Sequence, residues 1–406
     1  MMFDGANAAG GANRATGSQG SAGASPAGGM GGAVGGDGAN EPLVLVVNPG
    51  STSTKLGLYR GEEEVFQEEV LHLDKDLAPF TGAPILAQLP VRLDAVWTAL
   101  RRRKMDVERF AAVSGRGGLL PPLRSGTYQV DEGMLQELRL ARRGEHASNL
   151  GAFLARELAA PAGCPAFVVD PVSVDEWDDV ARLSGLVGLD RECLSHALNS
   201  KAVAKRYARE QGKRYNRLRL IVVHLGSGTT VSAHREGQMV DSSNPREEGP
   251  FSIDRSGGLP VLAFARFIIE SGNTIAEVER NVFREGGIYS YIGTRDLRHV
   301  LRLVDQGEEG ARLVVDAMLY QVRKEIGAMA AVLEGRVDAI LLTGGVMRAQ
   351  RLADELARAV RWIAPVAVYP GEDELRALAE GALRVLRGEE RPLRLAESVA
   401  AHAVAH

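Results

Sequence analysis

The sequence predicts an α/β protein built as two copies of one unit. Three observations carry that prediction. The first is a pair of matching stretches, Val44-Leu45-Val46-Val47-Asn48-Pro49-Gly50-Ser51-Thr52-Ser53-Thr54-Lys55 and Leu220-Ile221-Val222-Val223-His224-Leu225-Gly226-Ser227-Gly228-Thr229-Thr230. Aligned without a gap, Asn48 falls on His224, Gly50 on Gly226, Ser51 on Ser227, Ser53 on Thr229 and Gly61 on Gly237. Self-similarity of this kind marks a repeated supersecondary unit. The second is the alternation of short apolar strands with helical patterns along the chain. The third is another apolar strand that runs into glycines, Ala339 to Leu342 followed by Thr343-Gly344-Gly345.

The two matching turns have a common physics. Gly50, Gly226 and Gly228 let backbone N–H groups approach an anion closely. Ser51, Ser53 and Thr229 add hydroxyls, and Lys55 adds a point charge. One such turn alone reads as readily as an ordinary hairpin. Two in register, facing each other, suit the two ends of a triphosphate.

Taken in order, residues 43–66 read as a hairpin: strand, phosphate turn, second strand, a turn at Gly61, and Val65-Phe66. Residues 91–100 have helical spacing. A short strand, Ala111-Ala112-Val113, enters Ser114-Gly115-Arg116-Gly117-Gly118, where flanking glycines are expected to form a tight turn that pushes Arg116 into a cleft. Asp131 opens a helix over 131–140, and another runs to Ala160. The strand at 166–169 ends in Asp170-Pro171. A carboxylate at the carboxyl end of a strand commonly faces the ligand crevice of an α/β sheet. A helix opens at Ser195-His196 and runs through Tyr207. The segment from Asn244 to Pro260 is irregular, contains Arg255-Ser256-Gly257-Gly258, and has the character of an active-site loop. Val315, Leu319, Val322, Ile326, Met329 and Leu333 form one apolar face of a long helix, with Gly335 placed as its cap. A helix from Ala349, a strand at 366–369, and a helix from Pro370-Gly371-Glu372-Asp373-Glu374 to Leu386 complete the chain.

The bulk numbers exclude several classes. A chain of 406 residues, 45% apolar and 25% charged, has ordinary globular composition and is long enough for two domains. Its net charge of −4 disfavours a nucleic-acid binder. Arg101-Arg102-Arg103-Lys104, followed by Asp106 and Glu108, reads as a solvated helix face. No apolar run is long enough to cross a bilayer. Two cysteines, Cys164 and Cys193, make no disulfide framework, and reduced thiols in a cytoplasmic protein fit best. Residues 1–41, mostly Gly, Ala and Ser, read as a flexible extension without a secretory signal.

With these motifs in place, residues from Leu43 to about Glu389 resemble the acetate, propionate and butyrate kinase family. The carriers are Asn48-Pro49-Gly50-Ser51-Thr52-Ser53-Thr54-Lys55, Gly115-Arg116-Gly117-Gly118-Leu119-Leu120, Gly144-Glu145-His146-Ala147-Ser148-Asn149-Leu150, Val169-Asp170-Pro171-Val172, Arg255-Ser256-Gly257-Gly258-Leu259-Pro260 and Tyr369-Pro370-Gly371-Glu372-Asp373-Glu374-Leu375. Asn-Pro-Gly and Gly-Arg-Gly-Gly are similar to the butyrate members. Gly226-Ser227-Gly228-Thr229-Thr230 is closer to the acetate members, and residues 241–248 also depart from the butyrate pattern.

The resemblance implies a duplicated actin-like ATPase (ribonuclease H-like) fold with ATP between two domains. The first would span 42–170 plus about 375–390, the second 171–374 with the nucleotide site, and 391–406 a tail. It implies reversible transfer of the ATP γ-phosphoryl to a short-chain carboxylate, butyrate before acetate, propionate or a branched acid. A carboxylate is already ionised at neutral pH, so alignment and charge neutralisation suffice. Arg116 and Arg255 would hold the carboxylate and the transferring group. His196 and His224 would donate to phosphoryl oxygens. Asn48, Ser51, Ser53 and Lys55 would meet the phosphates, with Gly226 and Gly228 packed beneath them. Thr343, Gly344 and Gly345 would lie near the adenosine. Asp170, with Asp373 or Glu374, would hold Mg²⁺. Homo-oligomers are expected, without nucleic-acid or membrane partners. A sugar or polyol kinase on this fold would need Asp170 as a base. A chaperone- or actin-like ATPase would need a further module, for which the sequence soon after Pro392 leaves no expectation.

Overall fold

The structure, a computed structural model, describes residues 41–398. The expected extension, apart from residue 41, and the end of the expected tail, 399–406, lie outside the described residues.

Strand β1 (Leu43–Pro49), β2 (Ser53–Arg60) and β3 (Glu63–Leu71) form an antiparallel meander, and β4 (Ala112–Arg116), β5 (Thr127–Gln129) and β6 (Ala166–Val169) complete a sheet in the order β3-β2-β1-β4-β6-β5. Here β1, β4 and β6 are parallel, and β5 is an antiparallel edge. The second sheet repeats the plan. Its strands are β7 (Arg219–Leu225), β8 (Thr229–Arg235), β9 (Gln238–Ser242), β10 (Ala339–Gly344) and β11 (Val366–Pro370), in the order β9-β8-β7-β10-β11. Again the meander is antiparallel and β7, β10 and β11 are parallel. Position by position, five strands of one sheet match five of the other. The duplication expected from the glycine turns is present.

The gapless alignment holds only as far as the turn. In the first hairpin Asn48 pairs with Lys55, whereas in the second His224 pairs with Thr230. The second turn is one residue shorter. Gly226 closes it by donating to Gly228 at 3.0 Å, while Gly50 donates to Ser53 at 2.7 Å. Beyond the turn the match slips by one. Lys55 corresponds to Thr230, and Gly61 at φ 54° corresponds to Glu236, also at φ 54°, instead of Gly237.

Helices cover both faces of each sheet, and the strand sequences show why. Successive side chains of a strand point to opposite faces. Leu45 and Val47 pack with Val96, Leu100, Leu154 and Leu158, from helices α1 (Leu89–Arg102) and α2 (Leu150–Ala159). Val44 and Val46 face the other way. In the second sheet, Leu220 and Val222 meet Val203, Ala204 and Ala208 of α3 (Ala197–Glu210). Ile221 and Val223 join the stripe from Val315 to Leu333 on α4 (Glu309–Val332). Gly335, at φ 71°, donates to Ala330 O and ends that helix as expected. The last helix, α5 (Glu374–Leu386), returns to the first sheet, where Leu375, Leu378 and Ala382 cover Val44, Val46 and Val169. With both faces buried, continuous apolar strands are what parallel pairing requires.

The glycines around Arg116 serve a different purpose from the one expected. Arg116 closes β4 in extended backbone instead of occupying a tight turn. A Cβ on Gly115 would stand 2.1 Å from Gly151 O, and one on Gly151 would stand 2.0 Å from Arg116 O. These glycines let the first turn of α2 lie directly on the strand.

Candidate active site

Parallel strands deliver their carboxyl ends to one edge, where ligands of open α/β sheets bind. Asn48, Arg116 and Asp170 stand at the ends of β1, β4 and β6. His224 and Thr343 occupy the ends of β7 and β10, and Glu372, Asp373 and Glu374 follow β11. The loop after β11 joins the two halves. Asn48 Nδ2 donates to Glu374 Oε2 at 2.7 Å, and Arg116 Nη2 lies 3.3 Å from Glu374 Oε1. On the other side, His224 Nε2 lies 3.2 Å from Glu372 Oε1. The first and second glycine turns therefore open onto the same three-residue segment.

His224 is fixed from several directions. Its Nδ1 is 2.9 Å from Asn199 Oδ1, and its ring stacks on His196 with centroids 3.9 Å apart. His196 Nδ1 is 2.8 Å from Thr230 Oγ1. Burial, then His224 and the charges of Arg255 and Arg116, push His196 well below the usual histidine range. It is neutral at pH 7 and offers one N–H. The hydrogen bond from His224 holds Glu372 below the usual carboxylate range against burial, helped by the charges of His224, Lys55 and Arg116.

Arg255 projects from the irregular segment, as the sequence predicts. Ser252 N–H donates to Arg255 O, and Gly257 is held at φ 62°. A Cβ on Gly257 would meet Gly249 O and Phe251 N, each at 2.6 Å, so the turn admits no side chain there. The guanidinium lies over Gly228, with Cζ 2.8 Å from the position a Cβ would take. Desolvation lowers the pKa of His146, and Arg116, Arg255 and Arg284 lower it further. Arg255 thus lies over the second glycine turn, and Arg116 faces Glu374 in the loop after β11.

A cavity of about 320 Å³ is lined by Asn48, Lys55, Arg348, Glu372, Asp373 and Glu374, among others. A second, of about 800 Å³, lies beside Leu297, Arg298, Leu301, Gly345 and Arg348. Arg348 lines both, so the two adjoin.

Several expected residues are engaged by partners within the protein. Asp170 Oδ1 accepts from Ser125 Oγ at 2.6 Å and from the Gly126 N–H at 2.8 Å, and Oδ2 is 3.6 Å from Lys205 Nζ. Its carboxylate is committed to those partners. Asp373 is held by Arg206 and Arg376, each at 3.1 Å. Ser53 Oγ donates to Glu69. Thr343 is buried and donates to Gly371 O, and Gly344 packs against Leu225, leaving only Gly345 of that trio on a cavity. Ser51 is exposed at the tip of its turn, and Gly226 lies beneath Glu372 and His224. Sequence reasoning missed Glu372, His146, Asn199, Thr230 and Arg348. Glu372, His146 and Thr230 stood inside quoted motifs, and that was their only signal.

Asp170 gives a test by pH. Burial opposes its ionisation, but Lys205, Lys201 and the Ser125 hydroxyl outweigh it and keep the pKa below the ordinary carboxylate value. A depressed folded pKa means stability that is present above the unfolded pKa and lost as pH falls through the folded one. Asp170→Asn is expected to cost about 2–3 kcal/mol at pH 7, below the range for a fully enclosed pair because Lys205 is partly exposed. It should also flatten the acid limb of the stability curve below about pH 4. Thermal melts from pH 7 to 3 read both. An unchanged Mg²⁺ requirement for turnover would separate this role from metal holding.

Comparisons with known proteins bear on the family and the fold. The Acetokinase family profile matches residues 191–363. The chain is 45% identical over 349 residues to butyrate kinase 1 of Clostridium acetobutylicum, covering 86% of this chain and 98% of that one. It is 46% identical over 356 residues to a probable butyrate kinase of Enterococcus faecalis, covering 87% and 98%. Among solved structures it is similar to the acetate kinase of Porphyromonas gingivalis, with a TM-score of 0.72, 20% identity and coverage of 85% and 100%. A propionate kinase from Francisella tularensis gives 0.69, 16%, and 84% and 98%. These structural likenesses support the duplicated actin-like fold.

Proposed function

The chain belongs to the acetokinase family, and from that membership and the cleft geometry we propose that it transfers the γ-phosphoryl of ATP reversibly to butyrate, giving butyryl phosphate and ADP. What supports the reading is that Arg255 lies over the second glycine turn and Arg116 faces Glu374, while Asp170 is tied to Ser125, Gly126 and Lys205. An acceptor hydroxyl would need a free base at that position. An acceptor carboxylate needs only positive charge.

In this reading the cavity beside Gly345 takes the nucleoside and the one between Asn48 and Glu374 takes the phosphates. Lys55, the Ser51 turn and Gly226 meet the polyphosphate. Arg116 and Arg255 align the acid with the phosphoryl group and neutralise the charge that builds between them. His224 and His196 donate to phosphoryl oxygens, with Asn199 and Thr230 fixing the rings. Oxygen donors from Asn48 and Glu374 suit Mg²⁺, which takes one or two protein ligands and completes its shell with water and phosphate. When bound it would neutralise phosphate charge. Asp373, held by two arginines, and Asp170 serve that ion less well. The segments 42–170 with about 375–390, and 171–374, form the two domains that close on substrate and exclude water. No helix among the described residues is long and apolar enough to cross a membrane. A cytoplasmic homo-oligomer fits the family.

Acid length is the finer question, because residues 241–248 depart from the butyrate pattern. Asp241 and Glu248 there are both held by Arg191. A hydroxamate assay across acetate, propionate, butyrate, isobutyrate and hexanoate is expected to give the highest kcat/KM with butyrate. A maximum at acetate would move the assignment to that substrate. ADP release with glucose or glycerol and no hydroxamate product would overturn it.

A further inference from the structure

Behind the first glycine turn lies a cation that the reaction scheme does not use. Arg92, on α1, is fully buried. Its Nη1 donates to Gly50 O at 2.8 Å, Ser53 O at 3.2 Å and Thr54 Oγ1 at 3.4 Å. Nη2 donates to Ser51 O at 2.9 Å and Gln88 Oε1 at 2.9 Å, and Nε donates to Gln88 Oε1 at 3.0 Å. Every N–H of the fork that these bonds engage is spent on the turn or on Gln88.

Two features make this more than packing. A buried guanidinium normally has a carboxylate partner, because an uncompensated charge in a protein interior is costly. Among the described residues Arg92 forms no ion pair, and burial alone lowers its pKa without an offsetting negative neighbour. The Ser51 and Thr52 N–H groups, on the far side of the carbonyls Arg92 holds, have no hydrogen-bond acceptor among the described residues. Carbonyls drawn inward by a cation leave the N–H groups of the same turn facing out, which is the arrangement of an anion-binding nest. The second turn is held differently: the Ser252 hydroxyl donates to Ser227 O, and Gly228 tightens the closure.

We propose that Arg92 is a positioning residue for the nucleotide polyphosphate, shaping the Gly50–Ser53 turn and completing its own charge balance when a phosphate binds on the opposite side. The proposal rests on reading the cleft as a nucleotide site. Arg92 touches no reacting atom. Its effect passes through the turn, and it is specific to phosphate over nucleoside.

The test compares Arg92→Gln and Arg92→Lys with wild type in the full chain. ADP and adenosine binding are measured by calorimetry, and KM for ATP and butyrate by the hydroxamate assay. Arg92→Gln is expected to weaken ADP about ten- to thirtyfold, with KM for ATP rising in step, as for a lost charge-assisted contact. Adenosine affinity and KM for butyrate should stay within about twofold. Arg92→Lys keeps the charge and loses the fork, so it should fold and fall between. Equal losses for ADP and adenosine in the lysine variant would reduce Arg92 to scaffold, and unchanged ADP affinity in it would overturn the assignment outright. A wild type that binds ADP but makes no acyl phosphate would overturn the functional reading and leave the Arg92 result standing.

Discussion

Arg255→Ala is expected to lower kcat about a thousandfold in a protein that still folds. The guanidinium is arranged for a guest more than for the protein. Its hydrogen bond to protein is a long one to Pro245 O at 3.3 Å, and no ion pair ties it to a carboxylate among the described residues. Removing it strands no buried partner, so the stability cost is that of a lost contact, about 1 kcal/mol. Burial lowers its pKa, with Asp254 opposing and Arg246 assisting, yet the group remains charged at neutral pH. A desolvated cation over Gly228 of the second glycine turn is strongest where charge develops during transfer. The loss should therefore fall on kcat more than on KM for ATP. Steady-state kinetics with a melting curve separate the outcomes. Turnover within tenfold of wild type would remove Arg255 from the mechanism.

Glu374→Ala is expected to be nearly as damaging, for another reason. Its carboxylate receives Asn48 through Oε2 and faces Arg116 through Oε1. Arg116 Nη1 is already buried without a hydrogen-bond partner, so loss of Glu374 frees that side chain to wander. Turnover should fall by about two to three orders of magnitude, and half-saturation by Mg²⁺ should move up at least tenfold. Asn48→Ala, which keeps the carboxylate, should shift the Mg²⁺ requirement with a smaller loss of turnover. Magnesium titrations at fixed ATP measure both. A Glu374 variant with an ordinary Mg²⁺ requirement would transfer the metal role to Glu372. Asp373→Ala serves as the contrast, because its carboxylate is engaged by Arg206 and Arg376 and its loss should leave the titration near wild type.

Much of the fold was legible along the chain because its signals are short in range. An alternation of side chains over a few residues places Leu45 and Val47 on one face and Val44 and Val46 on the other. The stripe from Val315 to Leu333 needs only a helical period. The two turns announced the duplication through residues that any local reading can align. The slip of one residue after Gly226 was not readable, because hairpin register depends on how the turn closes. The purpose of Gly115 also escaped, since its constraint comes from Gly151 across the sheet–helix contact.

The site divides along the same line. Local motifs showed that paired glycine turns, glycine-flanked arginines and an acidic helix start belong to one protein, and the family resemblance those motifs carry implied its reaction class. Only the folded chain decided which partners Glu372, Asp373 and Glu374 take, that Asp170 is occupied by Ser125 and Lys205, and that Arg92 lies behind the first turn. Asn48 and Glu374 are 326 residues apart, and no pattern within either segment encodes their meeting. Backbone preference and burial are decided among neighbours in sequence, whereas a charged side chain takes the partner that the returning chain brings within a few ångströms.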